Sequence, residues 1–295
     1  METALPPLET LVREALAARY AAPVVRLEGA HVEVLGGKAL ELARAHVRAA
    51  GYEDAEAAVR PLDPSRRPWL AVPAGGLQLW RQHGALDDEG ELVTEFEAGD
   101  PPVRALAEFE EWQLVQGADG ATGWLAPEHA PALLAGPPAA APAMRADGNL
   151  DPDAVVREVQ ALMGTPYVWG GTTARGMDCS GLVQRAVWRA GGVWLPRHST
   201  ALLEVGERVA PSAVQRGDVL VLRRKPVDPA APAPAREPLP PHGGPAVHPM
   251  HVAVAVSAEG AVHASRDAWQ VIAEPLDSLR ERYRVLGVRR LGGTG

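Results

Sequence analysis

The chain has one cysteine, Cys179, among 295 residues, so it cannot close an internal disulfide and no redox compartment can be read from bridges. It has no apolar run of about 18 residues, the length a membrane-spanning helix needs. Its opening residues, Met1 to Glu9, carry neither a basic patch nor an apolar stretch. No secretory signal is written there, and a cytoplasmic location is expected. A chain whose signal had been trimmed off would read the same way. Basic residues are also outnumbered: 29 Lys and Arg stand against 37 Asp and Glu, a net charge of −8. That argues against nucleic acid or an anionic membrane surface as the main partner, because both need a cationic face. What is present, 46% apolar and 22% charged residues, is enough for globular cores in two or three domains.

Four stretches differ in character. Over 1–68 the apolar spacing predicts a helix at 8–20, a strand at 24–34 and an Ala-rich helix at 39–50. This is a small packing domain, with a divergent SH3-like barrel carrying helices as one form it could take. Over 69–129 short β-like runs begin at Trp69, Leu77, Leu92, Val103, Trp112 and Thr122, separated by Gly and Asp. Six such runs in this length predict a small barrel, with Trp112 and Trp124 in its core. The sequence Glu111-Trp112-Gln113-Leu114-Val115, then Gly117-Ala118-Asp119-Gly120, then Gly123-Trp124-Leu125 resembles the end of a bacterial SH3-like domain. Residues 130–150 are rich in Ala and Pro and read as a linker. Residues 151–295 form the last domain, interrupted by a Pro-rich surface loop over 226–249.

The chemistry concentrates in that last domain. Asp151 and Pro152 are an N-cap and first turn for a helix bearing Val155, Val156, Val159 and Leu162. A glycine-rich loop then runs through Asp178-Cys179-Ser180-Gly181 into a second helix that Gly191-Gly192 ends. The thiol is thereby expected at a helix N-terminus, where unpaired N–H groups and the dipole favour thiolate, the attacking form. Downstream, Met250-His251-Val252-Ala253-Val254 reads as a strand with an imidazole at its start, and Val262-His263-Ala264 as the next. A hairpin would bring the two histidines onto neighbouring strands. A thiol needs a base to take its proton and return it to a leaving group, and the base needs an orienting partner.

Tyr-Val-Trp-Gly-Gly at 167–171, Asp-Cys-Ser-Gly-Leu-Val at 178–183, Leu-Pro-Arg-His-Ser at 195–199, Arg-Gly-Asp-Val-Leu at 216–220, His-Val-Ala-Val-Ala-Val at 251–256 and Val-His-Ala at 262–264 occur in the order seen in NlpC/P60 cell-wall cysteine peptidases, which this region resembles. The resemblance implies a papain-like α+β fold, preceded by SH3-like β-barrel domains, and cleavage of peptidoglycan stem peptides after γ-D-glutamate. It implies Cys179 as nucleophile, His251 as base, His263 as its orienting residue and Tyr167 as a donor toward the oxyanion. It also implies a likeness to the YkfC-type subgroup, which acts on free muropeptides with an unblocked L-Ala during wall recycling. In that subgroup Asp178 and Ser180 match positions that hold the substrate's ammonium, with Trp169, Arg197 and Ser199 lining the cleft. Asp178 can equally cap the helix that follows it. The long 226–249 insertion and the unrecognisable first barrel depart from the pattern.

No cofactor is called for. His242, His248 and His251 lack regular ligand spacing and a nearby cysteine, so no metal site is expected. An amidase or acyltransferase of the same fold, or a non-catalytic wall-binding protein, would be the rival functions. The partner in each case is a peptidoglycan-derived peptide or peptidoglycan itself. Oligomeric state is not written in the sequence.

Overall fold

The computed structural model describes residues 7–17, 26–28, 31–35, 38–81, 91–109, 111–142, 150–226 and 249–292. The expected Pro-rich loop, with His242 and His248, and the end of the expected linker lie outside the described residues. Among the described residues no helix is long and apolar enough to cross a membrane.

The first unit comprises α1 (Leu8–Ala17), β1 (Arg26–Glu28), β2 (His31–Leu35), α2 (Lys38–Ala49), α3 (Ala55–Ala58) and β3 (Val59–Leu62). Its sheet runs β1-β2-β3, with β2 and β3 parallel. A parallel pair needs a crossover, and α2 supplies it. Leu11, Val12 and Leu16 on α1 and Ala43 and Val47 on α2 bury their apolar stripes against Val32, Val34 and Val59. The described residues are therefore a helix-covered sheet rather than a barrel. Two amphipathic helices need a sheet face to bury them, which a closed small barrel does not offer.

The second unit is a five-stranded antiparallel sheet in the order β5-β4-β8-β7-β6, from β4 (Leu77–Trp80), β5 (Leu92–Phe96), β6 (Val103–Phe109), β7 (Trp112–Gly117) and β8 (Thr122–Leu125). Trp112 and Trp124 are buried with Leu106 and Leu114. The run expected as a strand at 69–72 makes only single bridges from Leu70 to Val103 and Pro138. It is bracketed by Pro68 and Pro73, which have no N–H to extend a ladder. The segment expected as a linker opens with α4 (Ala130–Leu134), and Leu133 is buried against Leu70 and Val72. Backbone bonds from Ala71 N–H to Pro137 O and from Ala139 N–H to Trp69 O tie it down further.

The last unit comprises α5 (Pro152–Ala161), β9 (Thr172–Thr173), β10 (Gly176–Met177), α6 (Cys179–Gly191), β11 (Glu207–Val209), β12 (Val219–Arg224), β13 (Met250–Ala255), β14 (Gly260–Ser265), β15 (Gln270–Pro275), α7 (Leu276–Arg282) and β16 (Tyr283–Arg290). Its antiparallel sheet runs β11-β16-β12-β13-β14-β15. Asp151 caps α5, accepting from Asp153 N–H, and Gly192 ends α6 at φ +67°. The period of two along the strands sends Val219, Val221, Val252, Val254 and Val262 to the face covered by α5 and α6. Leu220, Leu222, Ala253, Ala255 and Ala261 go to the other face, under α7. The result is a mixed helix-and-sheet unit with one face of the sheet backing α6, the helix that Cys179 opens.

The five-stranded sheet docks on this unit through buried polar contacts. The Glu95 carboxylate accepts from Thr172 N–H and Thr173 Oγ1, both at 3.3 Å, and its carbonyl accepts from Thr172 Oγ1 at 2.8 Å. Gln184 donates to Asp119 at 3.0 Å, and Arg185 pairs with Asp100. Gly170 lies so close to the sheet that a Cβ there would stand 2.1 Å from Leu92 O, and its φ is +76°.

Candidate active site

Asp178 builds the seat of Cys179. Its Oδ1 accepts from Gly181 N–H at 2.7 Å, capping α6, and its Oδ2 accepts from Gly170 N–H at 3.0 Å, tying down the glycine loop. Cys179 is thereby held as the first residue of α6, and it is buried. Burial pushes its thiol up to about 12, and the Asp178 charge adds to the rise. The Val252 N–H, Arg197 and the Ser180 N–H pull the other way without cancelling it. Burial therefore works against the thiolate that the helix start was expected to favour. Removing the sulfur from water costs the charged form more than the helix terminus returns.

Asp178 is fully occupied. Arg197 Nη1 and Nη2 donate to its two oxygens at 3.0 and 2.6 Å, and Ser180 Oγ donates at 3.2 Å. With the two backbone donors this makes five bonds on a carboxylate that has about four lone-pair sites. Burial alone would raise its pKa, but Arg197 holds the carboxyl below its usual range. Asp178 thus caps the helix and anchors Arg197, and Ser180 Oγ accepts from Arg197 Nη1 at 2.8 Å.

The two histidines meet. His251 on β13 and His263 on β14 are buried, with Nε2 of the first 2.8 Å from Nδ1 of the second. Strand register explains it: Val254 pairs with Val262, so His263 lies diagonal to His251. Cys179 faces the same strand, because the Val252 N–H next to His251 donates toward the sulfur. Tyr283 stacks on His251 at 5.0 Å and 23°, and its pKa is raised by burial and, in smaller part, by the Asp267 charge. Tyr167 is buried edge-on to Trp269, and burial, then Cys179, raises its pKa well above the usual value. Its hydroxyl therefore stays protonated next to the nucleophile.

A cleft of about 170 Å³ opens over Cys179. Trp169, Asp178, Ser180, Arg197 and Ser199 line it as expected, whereas Tyr167, His251 and His263 are not among its lining residues. The sheet unit contributes Leu92 and Val93 together with the Arg81–Glu91 ion pair, at 2.6 Å. Sequence reasoning missed these, and it missed Glu274, whose Oε1 is 2.5 Å from His263 Nε2. Arg282 Nη2 is 2.5 Å from the same oxygen. No local motif marks either residue. Among the described residues no group of three His, Cys, Asp or Glu side chains is arranged to hold a metal.

Residues 164–229 match the model of the NlpC/P60 family. That stretch, about a fifth of the chain, is what is similar to the family. The matched stretch holds Tyr167, Trp169, Asp178, Cys179, Ser180, Arg197 and Ser199, while His251 and His263 follow it. Relatives are similar over part of the chain. A Bacillus subtilis protein named gamma-DL-glutamyl hydrolase is 48% identical over 67 residues, 22% of this chain and 16% of that one. The peptidoglycan endopeptidase RipB of Mycobacterium tuberculosis is 33% identical over 109 residues, 30% of this chain and 45% of RipB. The chain thus spans less than half the length of either relative. A solved NlpC/P60 family protein from Bacillus cereus overlaps 78% of this chain and 65% of its own, at 21% identity and a TM-score of 0.39.

Proposed function

We propose that this chain is a cysteine endopeptidase acting on peptidoglycan stem peptides at the bond between γ-D-glutamate and the following diamino acid. The observation that carries it is the meeting of a lone buried thiol with β13, where His251 is engaged through Nε2 by His263. That leaves His251 Nδ1 for proton exchange. In the first step Nδ1 takes the Cys179 proton as the sulfur attacks the γ-glutamyl carbonyl carbon. We assign the Cys179 N–H and the Tyr167 hydroxyl as donors to the developing oxyanion. The imidazolium then protonates the leaving amine, the C–N bond breaks, and a thioester remains. Water, giving its proton to His251, releases the acid. Burial favours the neutral thiol, which suits a deprotonation that accompanies the attack.

The γ-glutamyl choice is supported by the name of the Bacillus subtilis relative. A free amino terminus on the substrate, as in wall-recycling peptides, fits a cleft closed on one side by the sheet unit, which we read as SH3-like. With Asp178 saturated, Glu91 is the remaining acidic residue on its wall. The test is mass spectrometry of L-Ala-γ-D-Glu-diamino-acid peptide, free or N-acetylated, with the natural chain and with Cys179→Ala. The natural chain should release L-Ala-γ-D-Glu, prefer the free amine, and lose all turnover in the variant. Turnover surviving in Cys179→Ala would end the nucleophile assignment, and equal rates on both peptides would end the free-amine reading.

A further inference from the structure

Glu274 closes a line of polar groups that begins at His251. We propose that Glu274 and Arg282 are positioning residues of this site, which set the nitrogen that carries the proton in each imidazole and thereby leave His251 Nδ1 as the base. The proposal rests on the cysteine-peptidase reading above.

The argument is one of donors and acceptors. A carboxylate held by a guanidinium is an acceptor only. Since Glu274 Oε1 lies 2.5 Å from both Arg282 Nη2 and His263 Nε2, His263 must donate from Nε2. A neutral imidazole has one N–H, so His263 Nδ1 is left with a lone pair. The 2.8 Å contact then requires His251 Nε2 to donate, and His251 keeps its lone pair on Nδ1. In the opposite tautomer that nitrogen would carry a proton and could not take one from the thiol. One carboxylate thus decides two tautomers. When His251 becomes an imidazolium, its Nε2–H points at a ring backed by a negative charge.

The surrounding charges are balanced. Asp267, on the turn between β14 and β15, faces Arg282 Nε at 3.7 Å and Arg224 of β12 at 3.5 Å. Two carboxylates and two guanidinium groups therefore surround two imidazoles, with Tyr283 stacked on one of them. Burial lowers the proton affinity of His263, Glu274 raises it and Arg282 lowers it again. The two flanking residues act on the histidine with opposite sign.

The test uses the full chain labelled with ¹⁵N at histidine. Long-range ¹⁵N–¹H spectra should show His251 and His263 both as Nε2–H tautomers. Glu274→Gln keeps shape and an acceptor oxygen but removes the charge. Its His263 midpoint should fall by about one unit, and that of Arg282→Met should rise by a similar amount. Peptide turnover by Glu274→Gln should lose about tenfold in kcat with KM within about twofold, and the acid limb of its pH profile should follow the NMR midpoint. Glu274→Asp, with the charge restored on a shorter arm, should recover part of the loss. An Nδ1–H tautomer in either ring of the natural chain, or midpoints that stay put or move the same way in both variants, would overturn the relay. The spectra need no substrate. Nε2–H tautomers and opposite shifts in a chain that cleaves no γ-glutamyl peptide would therefore uphold the relay while ending the substrate reading.

Discussion

Arg185 and Asp100 meet across the joint between α6 and the five-stranded sheet as a two-point pair, Nη1 to Oδ1 at 2.6 Å and Nη2 to Oδ2 at 2.9 Å. Both side chains are buried, and Arg185 Nε also donates to Thr172 O at 2.9 Å. The pair lies 85 residues apart in sequence and stands directly behind the nucleophile's helix.

Asp100→Ala should therefore leave a guanidinium in the interior with only the half-exposed Glu97 to answer it, at 3.3 Å. Breaking a buried pair from one side costs about 3–5 kcal/mol. Urea denaturation should read a loss in that range, and the double variant Asp100→Ala with Arg185→Met should recover much of it. A loss below about 1 kcal/mol in the single variant would mean that this contact does not hold the joint.

The raised Cys179 thiol has a consequence at alkaline pH. In the unfolded chain the thiol ionises near its ordinary value, while in the folded chain it resists until about 12. The stability it contributes is therefore whole below the ordinary thiol range and is lost as pH climbs toward the folded value. The loss amounts to about 1.4 kcal/mol per unit within that window. Chemical denaturation at pH 7, 9 and 10.5, compared with Cys179→Ala, should show the natural chain falling away from the variant only above the lower edge. Parallel curves would show that the sulfur is not held in a desolvated place.

Tyr167→Phe separates oxyanion donor from core aromatic. The ring already packs against Trp269, so the variant should fold with little change in melting temperature. If the hydroxyl donates in the transition state, kcat should drop about a hundredfold with KM almost unmoved. A change in thermal stability with kcat intact would make Tyr167 a packing residue only.

Much of the site was legible because its signals are local. The Asp-Cys-Ser-Gly turn, the glycine that ends α6 and the alternation that puts His251 and His263 inward each occupy a few consecutive residues. What was not legible depends on register. Glu274 sits in Gln270–Pro275, a strand whose burial alternates with exposed polar positions, and nothing in it separates a solvated carboxylate from a buried partner. Only the pairing of His263 with Ile272 places it diagonally beside the imidazole. Arg185 reads as an ordinary charge on an amphipathic helix until a carboxylate from another unit arrives. The burial that opposes the thiolate was hidden for a related reason: a helix start can be read from sequence, but the depth at which it is buried cannot. In the first unit the helices at Leu8–Ala17 and Lys38–Ala49 and the strand between them were legible, whereas short runs do not reveal how strands pair.

Three carboxylates on the five-stranded sheet, Glu95, Asp100 and Asp119, reach into the loop and helix that carry the nucleophile. A fragment beginning at residue 150 would expose the polar ends of Thr172, Gln184 and Arg185 on a surface shaped to receive oxygen atoms that are no longer there. The sheet is thus no detachable accessory. Anyone shortening this protein to residues 150–295 should expect a sticky, poorly behaved product, and grafting that fragment onto another carrier will require those three acids to travel with it.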